Sequence, residues 1–301
     1  MLKSSAEAVI AFGDLPSEST AIAGGKGASL SRMAAAGLPV PPGFVVAAAA
    51  FHDFLDACGG AALIASITED LDGDDHRAVD RAAERIQHLI VSTPLPAQLA
   101  DAILAAQGKL VHGDLVAVRS SAVSEDGLTA SFAGQQESYL NVPRDAVLDR
   151  VRECWASFFS PRALFYRSQK AVLADTRMAV VVQEMVQADK SGVMFTVDPI
   201  RNRRECMVVE CAAGLGEAIV SGEITPDHYV ISRDDGGIIE SFVPDEERGR
   251  VLADDELDGL RRLGLQLESF FGSPQDVEWC ARGGELLLLQ SRPITTLRPH
   301  G

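Results

Sequence analysis

Arg119 ends the short apolar run Leu115-Val116-Ala117-Val118 and is followed by Ser120-Ser121, an acidic pair Glu125-Asp126, and the small-residue stretch Ser131-Phe132-Ala133-Gly134. A cation at a strand end beside such a loop is an arrangement for holding phosphate. Loop N–H groups approach the anion closely, and the guanidinium offers a planar fork of donors. Upstream, Gly24-Gly25-Lys26-Gly27-Ala28-Ser29 combines glycines that admit close backbone approach, a point charge, and a helical pattern directly after it. It is not a Walker A pattern, because Gly27 stands where Ser or Thr would follow the lysine and Thr20 stands where the first glycine would be. The same residues also describe a glycine-rich turn with a solvated lysine, and a lone strand-end arginine also describes an ordinary surface residue.

A second group lies near the other end of the chain. Gln290 and Arg292 are two apart in an apolar run and share one face of a strand. Gly283-Gly284 predicts a two-residue hairpin turn that pairs residue 282 with 285. Counted regularly from there, Glu278 falls opposite Leu289, on the face away from Gln290. A working trio of Glu278, Gln290 and Arg292 therefore requires a bulge or a longer loop; otherwise this is an ordinary exposed hairpin. Gly214-Leu215-Gly216-Glu217 follows a strand pattern but lacks the third glycine of a dinucleotide fingerprint, since Ile219 stands there. His228, a lone histidine beside a strand, reads as packed or solvated.

The elements that must position these residues fall into two textures. Gly27 to Gly37 has small and apolar residues at helical spacing and ends at a glycine. Phe44 to Val46 reads as a strand, and Ala47 to Cys58, Ala78 to Val91 and Pro96 to Gly108 read as helices. Between Asp145 and Phe159, the residues Val147, Leu148, Val151, Trp155 and Phe158 share a helical face, and Ser160-Pro161 supplies the N-cap and first residue of the next helix; the pair is expected to pack on a sheet. From Met178 onward β-branched runs separated by glycine take over: MAVVVQEMV, SGVMFTVDP, CMVVEC, DHYVIS and ELLLLQ. Asp254 to Phe271 is the last predicted helix, with Leu257, Leu260, Leu263, Leu267 and Phe270 inward. Met185-Val186 precedes the polar QADKSG and marks a hinge, dividing the chain into lobes at 1–186 and 187–301.

With 27 Lys and Arg against 43 Asp and Glu, the net charge is −16, which repels nucleic acid and anionic membrane surfaces and makes any phosphate site a local exception. The five cysteines are scattered and never spaced C-x-x-C, so neither a disulfide framework nor a zinc site is expected. No run is apolar for the length of a bilayer span, and a soluble protein of the reducing cytoplasm is expected.

Taken together, Gly24-Gly25-Lys26-Gly27, Arg119-Ser120-Ser121 with Gly134, GLGEAIVSGEITPDHYV, and Glu278, Gln290 and Arg292 resemble the ATP-binding domain of the dikinase family, which includes phosphoenolpyruvate synthase, pyruvate phosphate dikinase and rifampin phosphotransferase. The resemblance runs from about Gly24 to Ile294. It implies a mixed α/β (α+β) fold of the ATP-grasp type, two lobes enclosing a nucleotide cleft. It also implies ATP and Mg²⁺ as cofactors and catalytic roles for Lys26, Arg119 and Arg292 on the phosphates. Gly134 and Ser138, a serine where a threonine is common, belong to the nucleotide site. Gln183, Glu184, Met185 and Val186 resemble the hinge that holds the adenine. Glu278 and Gln290 match the residues that carry Mg²⁺, most of whose ligands would be nucleotide phosphates. Glu217 has a place near the phosphates in the same pattern.

In the family the group leaving ATP passes to a histidine on a swivelling domain and then to an acceptor on a third domain. None of the six histidines here sits in such a context, so a histidine-bearing phosphocarrier domain or protein and a small-molecule acceptor, pyruvate-like or antibiotic-like, are the implied partners. A non-catalytic nucleotide-sensing or scaffolding module of the same fold, and a stand-alone ATP-grasp ligase, remain the alternatives.

Overall fold

The computed structural model describes residues 5–69, 71, 75–110, 114–123, 137–170, 177–216 and 222–297. The chain divides into two compact units, Met1–Ala36 with Pro42–Met185, and Gly37–Pro41 with Val186–Gly301.

The first unit contains α1 (Ser5–Ala8), β1 (Val9–Ala11), α2 (Thr20–Ala35), β2 (Gly43–Val46), α3 (Ala48–Ala57), α4 (Gly60–Glu69), α5 (His76–Ser92), α6 (Ala97–Gln107), β3 (Leu115–Ala122), β4 (Ser138–Pro143), α7 (Val147–Ser157), α8 (Pro161–Lys170) and β5 (Met178–Glu184). Its antiparallel sheet has the order β1-β2-β5-β3-β4. Central β5 is buried at every position, which is why it reads as a continuous apolar run rather than an alternating one.

Register sorts its residues between two faces. Phe44, Val46, Val118, Val180 and Val182 turn to the core formed with Phe51, Phe54, Ile86 and Trp155, where Phe51 stacks on Trp155 at 5.0 Å. Val45, Arg119, Val181 and Gln183 turn to the opposite face. There α2 packs so closely that a Cβ on Gly27 would lie 3.2 Å from Val45 and 3.5 Å from Val181.

Several expectations needed correction. Helix α2 begins at Thr20 rather than Gly27 and is kinked at Gly24, whose backbone has φ 67° and ψ 177°. The glycine-lysine stretch is thus the kink and the restart of a helix rather than a loop ahead of one. Helix α7 packs on the sheet as expected, but α8 packs on α5. Ser160 caps α8 as expected, accepting the Ala163 N–H at 3.3 Å. Helix α4, which is apolar almost throughout and shows no helical stripe, and the short edge strands β1 and β4 are elements beyond those expected from the sequence.

The second unit contains β6 (Lys190–Phe195), β7 (Cys206–Ala213), β8 (Asp227–Ser232), β9 (Ile238–Phe242), α9 (Asp254–Phe271), β10 (Gln275–Arg282) and β11 (Glu285–Pro293). All six strands are antiparallel, in the order β11-β10-β6-β7-β8-β9. Helix α9 has the expected limits and buries Leu257, Leu260, Leu263 and Leu267 on one face of this sheet, with Gly264 close against Met194 and Met207. Phe270 was expected there too but is exposed, its ring edge-on to Phe271. Seven residues after Leu263 and three after Leu267, it continues the buried stripe but stands in the last turn of the helix, which ends at Phe271. None of the five cysteines is in a disulfide, and four of them are buried. Among the described residues no single helix is long and apolar enough to cross a membrane.

Candidate functional site

The β10–β11 hairpin has the expected two-residue turn, with Gly283 at φ 59°, Gly284 at φ 83° and Arg282 opposite Glu285. Regular pairing stops further in. Trp279 faces Leu288, but Glu278 faces Gln290, which makes Leu289 the extra residue of a β-bulge. The pairing of Glu278 with Leu289 expected from an unbroken hairpin is therefore incorrect, and the bulge that a working trio required is present. Two pairs further on, Asp276 faces Arg292, whose Nε donates to Asp276 Oδ2 at 2.8 Å.

The bulge also separates the strand's chemistry by face. Leu288 pairs with Trp279 on the α9 side, where Leu286 also packs against Gly259. Gln290 and Arg292 project to the opposite side with Glu278 and Asp276. The Arg292 side chain is 62% exposed while its partner Asp276 is only 13% exposed, so a largely buried carboxylate aims an exposed guanidinium. Burial pushes the Asp276 carboxyl above its ordinary range and nearby Glu278 adds to the effect, while Arg292 opposes both. Asp276 was not singled out from the sequence. Its signal was there: Asp-x-Glu in one strand mirrors Gln-x-Arg in the next.

The polar row continues across the sheet. Glu278 faces Val193 in β6, Val193 faces Glu210 in β7, and Glu210 faces His228 in β8. His228 Nδ1 lies 3.2 Å from Glu210 Oε1, and this hydrogen bond and the imidazole charge hold the Glu210 carboxyl below its usual range against the cost of burial. The histidine that looked solitary in sequence has a carboxylate partner on the neighbouring strand.

In the first unit, Arg119 in β3 faces Ser138 in β4 and Val181 in β5, with Gln183 two residues further along β5 on the same side. This is the face on which α2, the helix of Lys26, packs. Ser121 ties the two together. Its Oγ accepts the Gly27 N–H at 3.1 Å and donates to the Ala23 carbonyl at 2.8 Å, bridging the kink next to Lys26. Ser120 bonds the Glu137 carbonyl through both its amide and its hydroxyl.

Glu184 differs from Gln183. It faces Val116 on the core side of the sheet, and both its carboxylate oxygens are buried without a hydrogen-bond partner. The Glu184 amide donates to Pro42 O at 2.8 Å and the Met185 amide to Leu115 O at 3.1 Å, so neither of these two N–H groups is available to a bound base. Met185 and Val186 are themselves buried. Gly134, the Glu125-Asp126 pair, Glu217 and Ile219 lie outside the described residues.

Among the described residues no group of three or more His, Cys, Asp or Glu side chains is placed to hold a metal ion. Glu278 and Gln290, directly opposite one another, offer hard oxygen donors. That donor set fits Mg²⁺ when phosphate oxygens and water complete the octahedron.

Residues 20–251 and 233–300 match the pyruvate phosphate dikinase, AMP/ATP-binding domain. A probable phosphoenolpyruvate synthase of Methanothermobacter thermautotrophicus is 42% identical over 313 residues, covering 95% of this chain and 46% of its own length. A rifampicin phosphotransferase of a Streptomyces species is 38% identical over 313 residues, covering 97% of this chain and 36% of its own length. This chain thus spans less than half the length of either relative. The crystal structure of D-alanine–D-alanine ligase from Helicobacter pylori covers 65% of this chain and 47% of its own at 10% identity, with a TM-score of 0.33, a likeness too slight to bear on function. With both stretches of the family pattern present and together spanning most of its length, the chain belongs to the pyruvate phosphate dikinase AMP/ATP-binding domain family.

Proposed function

We propose that this chain is the ATP-binding component of a dikinase-type phosphotransferase with the ATP-grasp fold. It cleaves ATP to AMP and delivers a phosphoryl or pyrophosphoryl group to a histidine on a separate domain or protein, from which the group passes to a small-molecule acceptor. The observation that carries this reading is the bulged hairpin, which sets Glu278 against Gln290 and Asp276 against Arg292 on the sheet face that α9 leaves open.

In this reading Arg292, fixed in direction by Asp276, and Lys26 and Arg119 meet the triphosphate with positive charge. Their task is to stabilise the charge that spreads over the transferring group as it loosens from its leaving oxygen. Bound Mg²⁺ would neutralise phosphate charge, with Glu278 and Gln290 as its protein ligands. Gly134 and Ser138 contribute phosphate contacts from the same lobe as Arg119. Gln183 to Val186 hold the base, and because the Glu184 and Met185 amides are already bonded, the remaining backbone groups of the hinge carry that contact.

Titration calorimetry with Mg-ATP tests the binding step. The wild type is expected to bind and Lys26→Ala to lose tenfold or more in affinity, since one charge-assisted phosphate contact contributes about 1.5–3 kcal/mol. An unchanged affinity removes Lys26 from the site. Adding the histidine domain of a related phosphoenolpyruvate synthase should then yield AMP. Release of ADP on supplying acids and amines would mark a stand-alone ligase instead, and binding without turnover under either condition would mark a sensing module.

A further inference from the structure

Gln290, Glu278, Val193, Glu210 and His228 stand directly opposite one another on five successive strands and share one face of the sheet. Helix α9 occupies the other face. At the usual spacing between strands, Glu210 lies roughly 10 Å from Glu278 along this row. That is the order of the separation between the terminal phosphates of an extended nucleoside triphosphate and its ribose. The residue between them, Val193, is apolar and offers a polar ligand nothing. Glu210 is the next acceptor, and its side chain remains 37% exposed. The hydrogen bond to His228 holds it from behind at 3.2 Å and leaves its second oxygen free of this contact. A carboxylate fixed in this way suits a vicinal diol, because its two oxygens accept from neighbouring hydroxyls.

We propose that Glu210 binds the ribose hydroxyls of the nucleotide and that His228 is its positioning residue. The inference rests on the reading of the Glu278–Gln290 end of the row as the phosphate end. It makes the chain selective for ribonucleotides over deoxyribonucleotides through a contact separate from the phosphate machinery.

The test measures affinities for Mg-ATP, Mg-2′-deoxyATP and Mg-3′-deoxyATP by calorimetry. The wild type should prefer ATP over at least one deoxy analogue by about tenfold, the value of a hydrogen bond to a charged acceptor. Glu210→Ala should abolish that preference by weakening ATP and leaving the deoxy analogue within about twofold. His228→Asn should reduce the preference in part, whereas a merely structural histidine would change all three affinities together. Lys26→Ala, by contrast, should weaken all three alike and preserve the ratio. If the wild type binds the three nucleotides equally, the ribose assignment fails while the phosphate reading stands. If it binds none of them, both fail. Should Glu210→Ala not fold, the wild-type ratio and Glu210→Gln decide the matter.

Discussion

Arg292 Nε and Asp276 Oδ2 lie 2.8 Å apart across two strands, although the residues are sixteen positions apart in the chain. The pair is asymmetric, an exposed cation resting on a largely buried acid whose ionisation is opposed mainly by desolvation. Asp276→Asn should leave the fold intact and release Arg292, weakening Mg-ATP binding by about tenfold through loss of one charge-assisted contact. The pH dependence has a definite sign. A carboxyl whose pKa is raised by folding stabilises the native state while protonated, and that contribution is lost as pH rises through the raised value. Relative to wild type, Asp276→Asn should therefore become progressively more stable in thermal melts as pH rises above the ordinary aspartate value, near 3.9. A difference between the two proteins that does not change with pH would contradict the account of Asp276.

Gly24 and Ser121 fix the helix of Lys26. A Cβ at Gly24 would lie 2.3 Å from both the Ser121 carbonyl oxygen and its Oγ, and the residue already has φ +67°. Gly24→Ala combines overlap against backbone with left-handed strain and should cost about 3 kcal/mol in urea unfolding. Ser121→Ala removes the acceptor of the Gly27 N–H and the donor to the Ala23 carbonyl. Leaving two buried groups unpaired should cost about 2–3 kcal/mol. If both variants unfold at the wild-type midpoint, the kink is not held by this contact.

Glu184 carries an unpartnered carboxylate on the core side of its sheet. Replacing a buried polar group that has no partner with an apolar one of similar size removes a desolvation cost without removing a bond. Glu184→Met should raise stability by about 1–3 kcal/mol. Its effect on Mg-ATP affinity should be within a factor of two, because the hinge holds the base through its backbone. A loss of ATP affinity with no gain in stability would show that the carboxylate itself contacts the ligand.

Much of this was legible from residue order because the determinants are local. The apolar run of β5, the Ser160 cap and the Gly283-Gly284 turn each depend on short-range pattern, and so do the limits of α9. The contacts that organise the candidate site depend on register between strands far apart in the chain. His228 looked solitary because Glu210 lies on another strand, and Asp276 was overlooked because its partner is reached only through the bulge. The Gly24 kink was hidden as well, since its cause, the Ser121 backbone and hydroxyl, is ninety-seven positions away (121 − 24).

The bulge at Leu289 is the irregularity on which the site's register depends, and the register predicts how the hairpin responds to a change in length. With the turn fixing Arg282 opposite Glu285, the pairs up to Trp279–Leu288 are regular and Leu289 is the surplus residue. Deleting Leu289 converts the hairpin to an unbroken ladder in which Glu278 still faces Gln290 and Asp276 still faces Arg292. Mg-ATP binding should therefore persist in that variant, within about threefold, on register grounds. Inserting one alanine after Leu289 instead shifts Gln290 and Arg292 by one place and turns both toward the leucines of α9. There a buried guanidinium and amide would lack partners, and binding should disappear with a loss of several kcal/mol of stability. Calorimetry and urea unfolding on the two variants separate the cases. Loss of binding on deletion, with the fold intact, would mean that the bend of the bulge rather than its register aims Glu278.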